Sequence, residues 1–360
     1  MKKIHSSTQI ILIFLFLSGS ITLYSQAPAL KNTVKIGLLI QTNNTFEAIN
    51  GAELAIEKVN RNGAYAGRQF ELIVKSMEGP WGTGSKQAVD MIFNDRVVAI
   101  IGSHDGRNAH LVEQATTKAH IVFLSAWAGD PTLSQAFTPW FFNCVPNDNQ
   151  QAERLVNEIK HKKFRKVLIV TDSDYDANSA LKSFMRKTAE LNLPVPDTIA
   201  AGISEKEIFE TAASVKRMNP GCVLLFTKPV SAEILLQRLN AIGYSGPVYG
   251  PLSVIGETTR LLEYPDVMEN LVLLTSGNWF LKENSEFAAS YQKKYGAWPG
   301  ARAAYAYDAV NVLINNIQES GDDRETLHKT LINCVSEGVT GTIKFDEKGN
   351  RKYTVISPEL

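Results

Sequence analysis

The sequence predicts an α/β protein built from two doubly wound parallel sheets. Three observations support this fold class. Strand-like apolar runs alternate with helical patterns, which is typical of parallel sheets covered by helices on both faces. The alternation falls into two series that divide near Pro146. The length of 360 residues also suits two domains of about 150 residues each.

The composition is that of an ordinary globular protein. Hydrophobic residues make up 44% of the chain and charged residues 21%, which argues against a disordered, collagen-like or polytopic membrane protein. The 37 basic and 37 acidic residues balance, whereas a nucleic-acid partner requires a basic face. We therefore expect no nucleic-acid partner.

The first series begins with a nearly continuous apolar run, Val34 to Ile40, as expected for a strand buried on both faces. Residues 45–62 then place their apolar side chains on one helical stripe, which Asn62-Gly63 ends. The same reasoning predicts strands at 70–75, 97–101 and 121–124, a crossing strand at 140–144, and helices at 84–95 and 108–119.

The second series begins after Pro146 and follows the same alternation. It predicts strands at 166–171, 222–226, 248–249 and 271–275, and helices at 149–161, 177–191, 205–218 and 231–242. Three further helical patterns follow at 284–295, 301–318 and 324–333. The tail predicts a hairpin of 342–345 with 353–356 around a turn that contains Gly349.

Residues 1–25 have the pattern of a secretory signal peptide. Lys2 and Lys3 precede an uninterrupted apolar run from Ile10 to Leu17, and small and polar residues follow. The run is too short to span a bilayer, and an uncleaved anchor is the alternative. We expect cleavage near Ser25 and a periplasmic location. Without its two leader lysines the chain keeps 35 basic residues against 37 acidic ones, a formal charge of −2.

Two loops come close to phosphate-binding or ion-binding motifs. Residues 79–86 lie where a P-loop would be, but Ser85 and Lys86 stand in the reverse of the required order. Asp172-Ser173-Asp174-Tyr175-Asp176 fits the first half of a calcium loop, but Ala177 replaces the required Gly. We expect a flexible βα loop at the first segment and helix capping by carboxylates at the second. The sequence therefore predicts no metal and no cofactor.

Ser103-His104-Asp105 contains the residue types of a hydrolytic triad, but consecutively. Neighbouring side chains point apart, whereas a triad needs groups that converge from separate elements. We expect no catalytic residue, and an exported hydrolase stays as the remote alternative. Hydrolytic assays with and without Ser103→Ala would test that alternative.

The candidate ligand site lies on the loops that follow the predicted strands. In open α/β sheets, ligands bind beyond the carboxyl ends of the strands. Aromatic and polar residues on these loops fit a small-molecule site, which has apolar walls and a few aimed polar groups. The candidate ligand-binding residues are Phe46, Trp81, Ser103, His104, Asp105, Gly106, Arg107, Ser125, Ala126, Trp127, Tyr175, Thr227, Leu252 and Trp279.

Several phrases, in order and spacing, resemble the type I periplasmic solute-binding proteins of the leucine/isoleucine/valine-binding branch. The resemblance runs from about Val34 to the C-terminus. The phrases are Gly51-Ala52-Glu53-Leu54-Ala55-Ile56-Glu57-Lys58-Val59-Asn60, Val98-Ala99-Ile100-Ile101-Gly102, Asp130-Pro131-Thr132-Leu133, Ala304-Tyr305-Ala306-Tyr307-Asp308-Ala309-Val310 and Val339-Thr340-Gly341-Thr342-Ile343-Lys344-Phe345-Asp346.

The resemblance implies two lobes joined by a three-strand hinge that closes on a ligand. The implied lobes are 34–144 plus 277–335 and 145–276 plus 336–360. The implied crossings lie near 144–146, 275–277 and 334–338. It also implies a monomer that delivers a small-molecule solute to the membrane permease of an ABC importer. A ligand-sensing subunit for a membrane receptor or kinase shares the fold and is the main alternative.

The three cysteines permit at most one disulfide. Cys144 and Cys334 both lie near implied lobe junctions, so this is the pair to test. The preferred interpretation of Cys144, Cys222 and Cys334 is three buried small hydrophobic side chains.

The family's ligand residues carry over poorly onto this chain. In the family, two hydroxyl side chains bind the ligand carboxylate. The first of these positions corresponds to Gly106 or Arg107 in this chain, and the second corresponds to Gly129. The family's aromatic ligand residue corresponds to Tyr175, but Asp176 replaces the Gly that follows it in the family. The acidic residue that pairs with a ligand ammonium in the family corresponds to a position near Leu252.

Without a buried acid at that position, an α-ammonium group would lack a charge partner. Arg107 is suited to bind a carboxylate through two parallel hydrogen bonds, and Trp127 and Tyr175 to stack on a flat body. We therefore expect an organic acid, an amide or an aromatic-type solute.

Overall fold

The computed structural model describes residues 33–135, 138–256, 270–277, 279 and 285–352. Residues 1–25, for which the sequence predicts a signal peptide, lie outside the described residues. Within the described ranges, the strands form two five-stranded sheets and one two-stranded pair.

The first sheet has the strand order β2-β1-β3-β4-β5, with all neighbours parallel. Its strands are β1 (Val34–Ile40), β2 (Phe70–Ser76), β3 (Ala99–Ser103), β4 (Val122–Ser125) and β5 (Phe141–Asn143). Their helices are α1 (Phe46–Arg61), α2 (Thr83–Asp90), α3 (Gly106–Lys118) and the short α4 (Thr132–Gln135). This sheet and the helices packed on it form the first lobe.

The second sheet has the order β10-β9-β8-β6-β7, also parallel throughout, and forms the second lobe with its helices. Its strands are β6 (Val167–Thr171), β7 (Asp197–Ala200), β8 (Cys222–Phe226), β9 (Val248–Gly250) and β10 (Leu271–Leu273). Helix α5 (Asp148–Lys162) precedes β6, and the helices between the strands are α6 (Tyr175–Glu190), α7 (Glu205–Met218) and α8 (Pro229–Ala241).

The last helices return to the first sheet. They are α9 (Glu286–Tyr295), α10 (Ala301–Ser320) and α11 (Arg324–Ile332). Helix α10 packs along α1, and Gly51 is required there because a Cβ at this position would lie 2.1 Å from the Ala303 carbonyl oxygen. The two-lobe α/β architecture confirms the predicted fold class. The residue boundaries of the lobes stay a prediction.

Two element predictions were wrong in detail. The helix expected at 84–95 ends as an α-helix at Asp90 and continues as a single π-helical turn, Met91–Asp95. Val97 N–H still donates to the Met91 carbonyl of that turn, so β3 begins two residues later than expected. The sequence also missed β7, whose Asp197–Ala200 run is mostly exposed at the edge of the second sheet.

The first strand of the predicted tail hairpin also pairs with a strand that precedes it in the sequence, and its predicted pairing with 353–356 stays a prediction. Gly341–Lys344 (β12) pairs antiparallel with Val335–Gly338 (β11), a strand that the sequence did not predict. The turn around Gly349 does exist, because Phe345 forms an antiparallel bridge with Arg351. The predicted partner strand at 353–356 lies outside the described residues.

The described cysteines are free thiols. Cys144 and Cys222 are buried and Cys334 is partly buried. Burial raises the pKa of Cys222 to about 12 and that of Cys334 to about 11. No helix among the described residues has both the length and the apolar character needed to cross a membrane.

A buried arginine joins segments that lie far apart in the chain. The Arg351 guanidinium donates to the carbonyl oxygens of Cys144 at 2.6 Å, Thr340 at 2.8 Å, and Gly341 and Thr342 at 3.0 Å. Gly277 lies against the same segment with a φ of +66°, and a Cβ there would lie 2.1 Å from the Thr340 carbonyl carbon.

We predict that Arg351→Met strongly destabilises the fold. Methionine fills similar space but leaves four carbonyl groups without the donor that they have here, and each unsatisfied buried acceptor costs about 1–3 kcal/mol. The free energy of unfolding in urea should fall by about 3 kcal/mol or more. Arg61→Met, at an exposed position on α1, should change it by less than about 0.5 kcal/mol. Equal effects of the two substitutions would contradict the bridging role of Arg351.

Candidate functional site

The carboxyl ends of the two sheets face each other. Gly106 N–H, at the start of α3, donates to Asp176 Oδ1 of α6 at 2.9 Å. Tyr175 Oη donates to Asp130 Oδ2 at 2.8 Å. Both hydrogen bonds join the loop ends of β3 and β4 in the first lobe to the start of the helix that follows β6 in the second. The loops that the sequence selected as candidates therefore meet in an interlobe cleft.

Close approach at this point depends on Gly106. A Cβ there would lie 2.8 Å from Asp130 Cβ and 3.1 Å from Asp176 Oδ1. The first distance is shorter than real Cβ contacts, so a side chain at position 106 would push the lobes apart.

A cavity of about 630 Å³ lies beside these contacts and is lined by both lobes. Arg107, Asp130 and Thr132 line it from the first lobe, and Tyr175, Asn178 and Lys182 from the second. Its size lies within the range of small-molecule sites. The structure therefore brings two of the predicted site residues, Arg107 and Tyr175, to one interlobe cavity.

A second group of predicted residues lies buried at the end of the first sheet. The Trp127 ring packs under the Arg302 guanidinium, whose Cζ is 4.2 Å from the ring centroid. Arg302 Nη1 also donates to the Ser103 carbonyl oxygen at 3.4 Å. Ser125 Oγ donates to the Ala128 carbonyl at 3.3 Å, and Ala126 N–H donates to the Gly102 carbonyl at 2.8 Å.

Arg302 was missed by the sequence reasoning. It is the second residue of α10, and its neighbours Ala301, Ala303 and Ala304 read as ordinary helix packing. Only the return of α10 to the first sheet brings its guanidinium to Trp127.

On the second lobe, Thr227 and Leu252 are buried at the carboxyl ends of β8 and β9. The side chain of Leu252 is apolar, and its backbone N–H donates to Gln151 Oε1 at 2.8 Å. Position 252 thus supplies no acid to the cleft.

Four hydroxyl groups at these strand ends are buried without a partner. They belong to Ser103, Thr227, Ser231 at the start of α8, and Ser253 in the 3-10 turn after β9, and none has a hydrogen-bond partner among the described residues. Buried polar atoms in proteins are nearly always hydrogen-bonded. Hydroxyls at the ends of both sheets that lack partners among the described residues are therefore what a binding site for a polar ligand would present.

The other predicted residues lie elsewhere on the cleft or in the core. Phe46 and Trp81 are 60% and 67% exposed, and the Arg107 guanidinium stacks 4.4 Å from the Trp81 ring centroid. Trp279 is buried and donates from Nε1 to Thr275 Oγ1 at 2.9 Å. A ligand-binding role for each of the fourteen residues stays a prediction.

Ser103, His104 and Asp105 do not form a catalytic relay. His104 Nδ1 lies 3.2 Å from the backbone carbonyl of Asp105, and its ring stacks on Phe123. The Asp105 carboxylate caps α3 and accepts from Asn108 N–H at 2.9 Å. Burial lowers the pKa of His104, which keeps the imidazole neutral at pH 7.

The carboxylates after β6 do cap helix α6. Asp174 Oδ1 accepts from Ala177 N–H at 3.0 Å, as the sequence predicted. Asp172 accepts from the backbone N–H groups of Asp174 and Lys228 at 2.9 Å. No group of three or more His, Cys, Asp or Glu in the described part of the chain is arranged to hold a metal ion.

Two buried carboxyl groups at the interlobe contact hold protons near neutral pH. Burial raises the pKa of Asp176 to about 8 and that of Asp148 to about 7, with neighbouring carboxylates adding to the increase. The sequence showed Asp176 only as a departure from the family's Gly. Its contact with Gly106 arises from the folded arrangement of the lobes.

The pKa of Asp130 is shifted in the opposite direction, because hydrogen-bond donors surround its carboxylate. Burial favours its neutral form, but hydrogen bonds from His110, Thr132 and Tyr175 outweigh burial and hold the pKa of Asp130 at about 2. Hydrogen bonds to Asp130 and Glu113 raise the pKa of His110 to about 9. At pH 7 the cleft therefore presents an ionised Asp130 beside a largely neutral Asp176 and an Asp148 close to the midpoint of its titration.

Comparison with known proteins identifies the relatives of this chain. A model of the periplasmic binding protein family matches residues 33–355. The leucine-, isoleucine-, valine-, threonine- and alanine-binding protein of Pseudomonas aeruginosa is 22% identical over 84% of this chain and 81% of its own length. Glutamate receptor 3.1 of rice is 22% identical over 91% of this chain. The chain spans 40% of that receptor's length.

Solved structures show the same fold. A solute-binding protein of an ABC transporter from Rhodopseudomonas palustris, in complex with 3,4-dihydroxybenzoic acid, superposes with a TM-score of 0.75. The match covers 90% of this chain and 91% of that chain at 20% identity.

We predict that Asp176 makes folding stability depend on pH. Its pKa rises from about 3.8 to about 8 on folding, so its contribution is fully present below pH 4 and is lost as pH rises through 8. Asp176→Asn removes this titration. The loss of unfolding free energy from pH 5 to pH 8.5 should therefore shrink by at least about 1.4 kcal/mol, the equivalent of one pKa unit.

The matched control is Glu347→Gln, which removes an exposed carboxyl group from the turn before Gly349. Thermal or urea unfolding at several pH values measures both variants. Deprotonation of His110 lowers the unfolding free energy further between pH 6.5 and 9, and this decrease should persist in every variant. An Asp176→Asn profile that superposes on the wild-type profile would rule out a buried, proton-binding Asp176.

Proposed function

This chain belongs to the periplasmic binding protein family, and we propose that it captures a small organic solute in the interlobe cleft and delivers it to an ABC importer. The solute is amino-acid-like, an amide, or an aromatic or organic acid. Capture is by hinge closure, because contacts that form only when the lobes meet favour the closed state. The protein works in the periplasm after removal of its predicted signal peptide and acts as a binding protein rather than an enzyme.

One observation carries this proposal. Hydroxyl groups of Ser103 on the first lobe and of Thr227 and Ser231 on the second are buried without partners among the described residues. Leaving such a group unsatisfied costs about 1–3 kcal/mol. A solute with polar groups aimed at both lobes would recover this free energy only in the closed form.

The Trp127–Arg302 pair supports an organic acid. A guanidinium presents paired donors that match a carboxylate, and the indole beneath it offers a flat apolar surface. This pair extends the sequence-based expectation, in which Arg107 was the carboxylate-binding residue. Arg107 instead stacks on Trp81 near the rim of the cleft, where it can attract an anion before closure.

An amino-acid-like solute also fits the proposal, because carboxyl groups at the contact between the lobes could pair with its ammonium group. Position 252 supplies no acid, but Asp130, Asp148 and Asp176 lie at the interlobe contact. Ionised Asp130 is already bound by His110, Thr132 and Tyr175, so an ammonium group would have to compete with them.

The similarity to plant glutamate receptors favours one second candidate. In that case the chain is the ligand-sensing part of a membrane receptor or kinase, with the same cleft and closure. A neighbouring permease gene would support import, whereas a neighbouring sensor gene would support signalling.

The first test identifies the solute. Mass spectrometry of the purified protein detects any retained ligand, and thermal shifts are measured against amino acids and aromatic acids. We expect stabilisation by a carboxylate with a flat or apolar body, and about a hundredfold weaker binding in Arg302→Gln, since hydrogen bonds to charged groups contribute up to about 3 kcal/mol. Arg61→Gln on α1 should bind normally. A strong response to leucine alone would overturn the organic-acid assignment.

We predict opposite effects of Thr227→Val on stability and on binding. The hydroxyl has no hydrogen-bond partner among the described residues, so its removal should leave the unfolding free energy unchanged or raise it. Solute affinity should fall about tenfold, or about 1.4 kcal/mol. Calorimetry and urea unfolding measure the two effects.

Thr116→Val is the matched control for this substitution. Its buried hydroxyl donates to the carbonyls of Val112 and Glu113 at 3.1 Å. This variant should lose stability without losing affinity. If Thr227→Val behaved in the same way, the Thr227 hydroxyl would be structural and the proposed site would be wrong.

A further inference from the structure

A pocket on the second lobe lies at the opposite end from the cleft. It is bounded by the C-terminal ends of α5 and α6, by the segment 193–197, and by Lys166 and Val167 at the start of β6. The cleft lies at the carboxyl ends of the parallel strands, whereas this pocket lies at their amino ends. No step of the proposed solute capture uses it.

The floor of the pocket is apolar and large enough for a small molecule. Val156 and Phe184 are buried beneath it, and Ile159 and Leu193 are partly buried in its walls. Val195 is 71% exposed at the mouth. The volume of about 340 Å³ lies at the lower end of the range for ligand pockets.

The rim of the pocket is strongly basic. Four cationic side chains line it, Lys160, Lys163, Arg165 and Lys166, against one acid, Asp197. None of the four forms an ion pair with an acid in the described part of the chain. Lys166 Nζ donates to the Met218 carbonyl oxygen at 2.5 Å, which leaves the other three as the available donors.

Helix electrostatics account for only part of this charge. The C-terminal end of α5 carries a partial negative charge that one or two cations in the last turn offset, as Lys160 does. Lys163 and Arg165 lie beyond the last helical residue, and both are exposed. Their charges face solvent beside an apolar floor, which suits a ligand with an anionic head and an apolar body.

We propose that this basic-rimmed pocket binds a small amphipathic monocarboxylate. The alkyl or aryl body lies on Val156, Ile159, Phe184 and Leu193, and the carboxylate accepts hydrogen bonds from Lys160, Lys163 and Arg165. Burial of the body supplies about 25 cal/mol for each Å² of apolar surface removed from water. The rim then selects the anion over a neutral molecule of the same shape.

Calorimetric titration of the full chain with sodium octanoate tests the proposal, and octan-1-ol serves as the uncharged ligand of equal chain length. We expect octanoate to bind at least tenfold more tightly than octan-1-ol. Lys163→Gln combined with Arg165→Gln should weaken octanoate binding about tenfold. Val195→Glu, which places a carboxylate at the exposed mouth, should weaken it without disturbing the core.

Two controls separate this site from the cleft and from general charge effects. Lys118→Gln combined with Lys293→Gln removes two exposed charges from the first lobe and should leave octanoate affinity within twofold of wild type. Arg302→Gln alters the cleft and should also leave it unchanged. The proposal for this pocket can therefore hold even if the proposed solute capture in the cleft is wrong.

Three outcomes would overturn the proposal. One is equal affinity for octanoate and octan-1-ol. Another is loss of octanoate binding in Arg302→Gln but not in the rim variants, which would assign octanoate to the cleft. The third is binding of an acidic aromatic peptide, such as acetyl-Glu-Phe-Glu-Phe-amide, without binding of octanoate. That result would assign the surface to a protein partner.

Discussion

The buried guanidinium of Arg351 is the contact on which the two-lobe arrangement depends. It joins the carbonyl of Cys144, just after β5, to those of Thr340, Gly341 and Thr342 near the end of the chain. Asp308 of α10 accepts from Val339 and Thr340 N–H at 3.0 and 2.7 Å, so the same segment is also tied to the first lobe. The buried N–H groups of Arg351 thus hold together segments that are distant in sequence.

In the proposed capture of a solute, the segments that Arg351 joins would keep the two lobes in register as they close. In this structure Asp176 lies against Gly106 N–H, and Tyr175 lies against Asp130. Both contacts are short and polar, which suits the closing and opening that the proposed capture requires. The hydroxyls of Ser103 and Thr227 are buried with no partner among the described residues, and in the proposed capture a solute would supply these partners. The proposed capture therefore links closure and binding through the same buried groups.

Most of the fold could be predicted from local patterns, and the exceptions share a cause. The runs at Cys222–Phe226 and Glu205–Met218 were predicted with the bounds that the structure has, because one is wholly apolar and the other begins with a capping box at Ser204. Strand β7 was missed because it is exposed at a sheet edge. Strand β11 was missed because Val335–Gly338 has little apolar pattern, and its pairing with β12 comes from a tight antiparallel turn.

The candidate site was predicted in location more fully than in composition. The rule that ligands bind at carboxyl ends of parallel strands selected the loops that contain Gly106, Trp127, Tyr175 and Thr227. It did not select Arg302, which lies about 175 residues after Trp127 in sequence and reaches it only through the return of α10 to the first sheet. It also gave no sign that Asp148 and Asp176 would hold protons, because their pKa values depend on burial by the opposite lobe.

The sequence by itself determined the alternation of strands and helices, the helix capping by carboxylates at 172–176, and the phrases that identify the family. Each of these depends on residues within about one element of one another, so local periodicity and hydrogen-bonding rules suffice. Only the tertiary structure decided which charged groups meet in the cleft and which segments Arg351 joins. Those contacts link residues far apart in the chain. Their energies depend on how deeply each group is buried by the distant segment, which no local sequence pattern shows.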